Sequence, residues 1–197
     1  MFNGNIVIIG VSTGGPKTLE TIFAGLPPLN AAVIIVLHIP SGTDRTFARR
    51  LNNVSTMPVT LAEHGSYLQT GHVYLVPGAM HLRLEGNSRL ILFAGDRINF
   101  VRPSIDVAMT SLSKPLHGRI IGVVLTGMGK DGAEGIRHIK SIGGTTIAQD
   151  QDTSAIYGMP KAALQTGAVD FVLPCQTIGS KLHTLLDHSK DRTAAAD

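Results

Sequence analysis

Ile6-Val7-Ile8-Ile9-Gly10-Val11-Ser12-Thr13-Gly14-Gly15-Pro16 is the stretch that decides the fold. It begins as a wholly apolar run, passes through a glycine-rich turn, and enters a segment with Leu19, Ile22 and Phe23 at helical spacing. The reading is strand, tight turn, helix. A run apolar on both faces suits a parallel sheet covered by helices on either side. A glycine-rich turn in that place ordinarily attracts phosphate, because helix N-terminal amides favour anions. Here the centre of the turn carries a serine. Gly10-x-Ser12-x-Gly14 fits the nucleophile-elbow pattern, in which a sharp turn exposes a serine hydroxyl above a sheet. The flanking glycines are expected to keep side chains away from the turn and from an approaching substrate.

Working outward, Ala31 to Leu37 is a second apolar strand that ends at His38. Ile39-Pro40-Ser41-Gly42 follows, then a helix carrying Phe47, Ala48 and Leu51. Strand, helix, strand implies a right-handed crossover and an α/β fold. From Met57 to Phe93 short runs around Val59-Thr60-Leu61, Val73 to Val76, Leu82 to Leu84 and Leu90 to Leu92 predict an antiparallel excursion within or beside the sheet, with Glu85 to Ser88 as a hairpin loop. Gly95 to Pro103 reads as a loop. Ser104 caps a helix reaching about Leu112, with Asp106 in its first turn. Ile120 to Leu125 is another apolar strand, followed by Thr126-Gly127-Met128-Gly129-Lys130-Asp131-Gly132 and a helix with Ile136 and Ile139. Thr145 to Ala148 and Val169 to Leu173 are the last strands. Pro160 suits a helix start, Ile178, Leu182 and Leu185 mark a final amphipathic helix, and Arg192 to Asp197 reads as a frayed tail.

The 197 residues suit one domain with a sizeable core. Hydrophobic residues at 43% and charged residues at 16% describe a globular chain rather than a disordered one. The net charge of +3 is mild, and no basic run resembles a nucleic-acid arm. Cys175 is the only cysteine, which rules out a disulfide within the chain and reads as an inert structural thiol. No apolar run approaches a membrane span and no signal peptide is evident, so the cytoplasm is the default compartment. His64, His72, His81 and His117 read as surface residues. His183 and His188 are poorly spaced to share a helix face, and no zinc pattern occurs, so no metal is expected.

Ser12, His38 and Asp131 share an address: each lies at or just beyond the carboxyl end of a parallel-type strand, where open α/β sheets place ligands. A serine hydroxyl becomes a good nucleophile when a neighbouring base takes its proton. His38 can do that near neutral pH, and Asp131 can orient the imidazole and stabilise its charged form. The amides of Met128 and its neighbours are candidates for an oxyanion hole. Each residue also has a plainer reading: Ser12 as a helix cap, His38 as a structural histidine, Asp131 as a helix-dipole partner. The order Ser, His, Asp differs from that of the α/β-hydrolases, so the elbow likeness is local.

Several blocks in order resemble one family. They are Gly10 to Pro16, His38-Ile39-Pro40, Tyr74-Leu75-Val76-Pro77-Gly78 with His81-Leu82, Arg102-Pro103-Ser104-Ile105-Asp106-Val107, Leu125 to Ala133, Thr146 to Asp150, and Tyr157-Gly158-Met159-Pro160. The chain resembles the catalytic domain of the CheB family of chemotaxis protein-glutamate methylesterases from Ile6 to about Pro174. The resemblance implies a three-layer doubly wound α/β sandwich with a mostly parallel sheet and an antiparallel hairpin. It implies Ser12 as nucleophile, His38 as base, Asp131 as orienting acid, an oxyanion contact from the Met128 backbone, and Thr13 beside the nucleophile. The implied reaction is hydrolysis of glutamate γ-methyl esters on the cytoplasmic helices of chemoreceptors, releasing methanol without a cofactor, and in many members also deamidation of receptor glutamines. Residues 1–197 are expected to be a single catalytic domain with a core of about 6–188. Members typically carry an N-terminal receiver domain; with the first strand at Ile6, the expectation is an excised domain or a receiver-less member. Two other functions compete: a nucleotide- or phosphate-binding module using the Gly10 to Gly15 turn, and a catalytically silent receptor-binding domain. Against the first, Ser12 replaces a fingerprint glycine and no lysine completes a P-loop.

Overall fold

The computed structural model describes residue 2 and residues 4–187. The expected tail and His188 lie outside them. Strand β1 (Asn5–Val11) is buried along its whole length and sits at the centre of a seven-stranded sheet. Its neighbours are β2 (Ala31–Leu37), in register Val11 with Leu37, and β7 (Ile120–Val124), in register Gly10 with Val124. Beyond β2 lie β4 (Val73–Leu75) and β3 (Val59–Leu61); beyond β7 lie β8 (Thr145–Gln149) and β9 (Phe171–Leu173). Every pairing in this sheet is parallel.

Alternation along β1 sorts the core into two layers. Val7, Ile9 and Val11 face α1 (Gly15–Phe23), α2 (Asp44–Asn52) and α6 (Cys175–Leu186). Ile6 and Ile8 face α3 (Ile105–Thr110), α4 (Ala133–Ser141), α5 (Met159–Gln165) and a separate antiparallel hairpin of β5 (His81–Glu85) and β6 (Arg89–Phe93). The result is the three-layer α/β arrangement with a hairpin. The apolar spacing explains the helices: Leu19, Ile22 and Phe23 on α1, and Ile178, Leu182 and Leu186 on α6, each form one buried stripe. Fully burying each such side chain contributes roughly 1.5–3 kcal/mol.

The antiparallel excursion is smaller than expected. Among the strands of the described residues, β5 and β6 alone pair antiparallel; β3 and β4 extend the main parallel sheet. Residues 62–72 supply the connection that parallel neighbours need. Part of that segment pairs with the hairpin, through Gly65 N–H to Leu90 O at 2.7 Å and Leu68 N–H to Ser88 O at 2.8 Å. Strands three residues long carry no pattern that reports direction. His81 is the second departure. It is 1% exposed rather than on the surface, because the loop after β6 closes over it. Its Nε2–H donates to Asp96 O at 2.8 Å, and its Nδ1 accepts from Ser104 N–H at 3.1 Å. Cys175 is buried as the first residue of α6. Among the described residues no helix is long and apolar enough to cross a membrane.

Candidate active site

The chain leaves β1 toward β2 and later returns to the other side of β1 through β7. The carboxyl ends of these three strands therefore frame the switch point of the sheet, where open α/β sheets bind ligands. Ser12 follows β1, His38 follows β2, and Thr126 lies just past β7. Two backbone bonds hold these ends in register: His38 N–H to Val11 O at 3.0 Å and Ser12 N–H to Thr126 O at 3.0 Å. Even-numbered residues of β1 and β2 face the α3–α5 layer, and His38 continues that parity. It meets Asp131 there: Nε2 lies 2.8 Å from Asp131 Oδ2, with the two side chains 10% and 3% exposed. Nδ1 is left on the opposite edge of the ring, as the atom able to accept a proton.

The turn around Ser12 is shaped by close approach. Gly14 has φ +81° and caps α1, and a Cβ there would lie 2.6 Å from Ala155 Cβ. A Cβ on Gly10 would lie 2.4 Å from Ile105 Cγ2. Both glycines therefore make room for other parts of the protein, not for an approaching substrate. A Cβ on Gly127 would lie 2.7 Å from Ser12 Cβ and 2.3 Å from Met159 Sδ, so the β7 loop rests directly on the serine. Thr126, fully buried, fastens this contact. Its hydroxyl donates to Thr13 O at 2.9 Å and accepts from Ile156 N–H at 3.0 Å. The Tyr157-Gly158-Met159 segment is tied to the same loop, with Gly158 and Met159 N–H donating to Gly127 O at 3.1 and 2.9 Å. Thr13 and Met128 are exposed, Met128 to 79%.

Asp131 is held from several sides. Ser104 Oγ–H donates to Oδ1 at 2.8 Å, Ile105 N–H to Oδ2 at 2.7 Å, and Asp106 N–H to Oδ1 at 3.2 Å. Asp106, itself buried, accepts from Gly132 N–H at 2.9 Å and Gly135 N–H at 2.8 Å. Asn99 reaches both carboxylates.

Residues 7–182 match the family model described as CheB methylesterase. The chain belongs to the CheB methylesterase family. A protein-glutamate methylesterase/protein-glutamine glutaminase of Thermotoga maritima is 40% identical over 188 residues, covering 93% of this chain and 55% of that protein. One of Pyrococcus horikoshii is 45% identical over 176 residues, covering 87% of this chain and 48% of that protein. The chain thus spans about half the length of these curated relatives. The crystal structure of the Thermotoga maritima CheB methylesterase catalytic domain superposes with a TM-score of 0.87 at 38% identity, covering 93% of this chain and all of that one.

Within this family fold, the two buried carboxyls titrate in opposite directions. Burial pushes Asp131 upward, but bonds from His38, the Ile105 N–H and Ser104 outweigh it and hold the carboxyl below its ordinary value. Asp106 is pushed up to about 6, chiefly by burial and also by the charge of Asp131, against the Gly135 and Gly132 N–H bonds. Among the described residues no group of three or more His, Cys, Asp or Glu is arranged to hold a metal ion. Sequence reading missed Thr126, His81, Asn99 and the second role of Asp106. Ser104 and Asp106 did carry a signal, as the cap and first-turn acid of α3, but that signal concerns α3 alone.

Proposed function

We propose that the chain is a serine hydrolase that removes methyl groups from glutamate γ-methyl esters on the cytoplasmic helices of chemoreceptors. The observation that carries this reading is the His38–Asp131 pair, 2.8 Å apart, at the end of β2, whose register partner β1 leads into Ser12. The relatives' activity as protein-glutamate methylesterases supports the substrate class. So does the openness of the site: exposed Thr13 and Met128 leave it accessible to a side chain on a large partner.

Ser12 Oγ attacks the γ-carbonyl carbon while His38 Nδ1 takes the hydroxyl proton. Asp131 keeps the other ring nitrogen protonated and stabilises the imidazolium. The Met128 and Thr13 N–H groups receive the oxyanion, a contribution of about 3 kcal/mol per donor in such sites. His38 returns its proton to the departing methoxide, and methanol leaves. Water, deprotonated by His38, then attacks the acyl-enzyme and frees the glutamate carboxylate. A receptor glutamine enters the same cycle with ammonia as the leaving group, which gives the deamidase activity. The scheme calls on no cofactor. Its setting is the cytoplasm, and the chain works as one catalytic domain.

Methanol release from methylated chemoreceptor membranes tests the proposal. Wild type should release methanol and Ser12→Ala should not, with unchanged unfolding. Normal release by a folded Ser12→Ala variant would overturn the assignment of the nucleophile.

A further inference from the structure

Two buried carboxylates lie side by side behind the site, and only one touches it. Asp131 precedes α4, yet its carboxylate accepts from Ser104, Ile105 and Asp106 at the start of α3. Asp106 belongs to α3, yet its carboxylate accepts from Gly132 and Gly135 at the start of α4. Each helix start is satisfied by the acid carried on the other. The exchange matters for α4 because its cap residue is Gly132, at φ +98° with no side chain to offer. Asp106 supplies from outside the acceptor that a serine or aspartate cap would supply from within.

Two adjacent carboxylates repel, and Asn99 answers that repulsion. Its carboxamide Nδ2 donates to Asp106 Oδ2 at 3.1 Å and lies 3.4 Å from Asp131 Oδ1. Asn99 and Phe100 form the two central residues of a tight turn, with φ of 51° and 67°. Ile98 and Val101 close it by exchanging backbone bonds of 3.1 and 3.0 Å. Glycine, asparagine and aspartate adopt such a backbone most readily, and of the three only asparagine brings an amide. The donors divide unequally over Asp131. Oδ1 receives Ser104 Oγ–H, Asp106 N–H and Asn99, which anchor it; Oδ2 receives the Ile105 N–H and His38.

We propose that Asn99 and Asp106 are positioning residues for the reaction: Asp106 locks the start of α4, Asn99 holds the two carboxylates together, and Asp131 thereby keeps Oδ2 turned to His38. This rests on the Ser12, His38 and Asp131 roles given above.

The test is the rate at which a fluorophosphonate labels Ser12, read beside the downfield proton resonance of the His38 Nε2–H. Asn99→Gly preserves the positive-φ turn and removes only the amide. It should label about tenfold more slowly, the effect of losing a charge-assisted hydrogen bond, and its His38 resonance should shift or broaden. Asp106→Ala should lose at least as much. Asp106→Asn keeps an oxygen for Gly132 and Gly135 and should recover most of the rate. Wild-type labelling by folded Asn99→Gly or by folded Asp106→Ala would overturn the proposal, as would slow labelling with an unmoved His38 resonance. Should Asp106→Ala fail to fold, Asn99→Gly decides alone. A wild type that is not labelled removes the triad reading and this proposal with it, whereas a labelled wild type with an equally labelled Asn99→Gly removes only the proposal.

Discussion

On one face of the sheet, α1, α2 and α6 meet β1 and β2 through an aliphatic layer: Leu19, Ile22, Phe47, Leu51, Ile178, Leu182. On the other face, Ile105, Met109, Ile136 and Ile139 make a similar layer, but it gives way at the carboxyl end of the strands to His81, Ser104, Asp106 and Asp131, all buried and hydrogen-bonded. The first face resists unfolding by excluding water. The second must also hold polar atoms in fixed directions, so its energy depends on satisfied donors as much as on burial. The comparison separates residues that matter for stability alone from residues that matter for stability and chemistry together.

Asp131→Ala should break the second face most severely. It orphans the Ser104, Ile105 and Asp106 donors and frees His38, so turnover should fall about 10³–10⁴-fold and unfolding free energy by about 3 kcal/mol. Methanol release and urea unfolding on the same variant measure both losses; a stability equal to wild type would show that the donors do not depend on this acid. Leu182→Ala, on the first face, should cost about 2–5 kcal/mol and leave kcat unchanged at a temperature where the variant is folded. A kcat that fell in step with stability would erase the distinction between the faces. Gly10→Ala sharpens it. The new methyl meets Ile105, whose N–H holds Asp131, so a cost of about 1–3 kcal/mol should come with reduced labelling of Ser12.

The smallest effect is in pH. Asp106, held up at about 6, keeps in the folded chain a proton that the unfolded chain releases. Its contribution to stability is full below the ordinary aspartate range and is lost as pH rises through about 6. Asp131, held low, acts in the opposite sense: its contribution is present above the ordinary range and is lost as pH falls through its depressed value. Relative to Asp106→Asn, wild type should therefore lose stability between about pH 4 and about pH 7. Denaturant midpoints across that range check the sign; a difference that grows with pH would mean Asp106 is not held protonated.

The sheet was legible because its central strands are apolar on both faces, and the positions of Ser12, His38 and Asp131 followed from where those runs stop. The direction of β3 and β4 was hidden, since three residues carry no periodicity that separates parallel from antiparallel. His81 begins a strand whose Arg83 and Glu85 point outward, and nothing local reveals that a later loop covers it. Asp106 looked like a first-turn acid of its own helix, while its acceptor role serves another. Asn99 lies in a stretch without pattern, where its use depends on two carboxylates brought together only by the packing of α3 against α4.

The Thr126 hydroxyl joins the turn at Thr13 to the backbone at Ile156 through one oxygen atom. The contacts that complete the site span most of the chain: 93 residues separate His38 from Asp131, and 113 separate Thr13 from Thr126. Ser12 therefore precedes in sequence most of the segments that complete its surroundings. A chain lacking the segment around Ile156 leaves the Thr126 hydroxyl without one of its two backbone partners, so the proposed site depends on segments distant in sequence closing on one another.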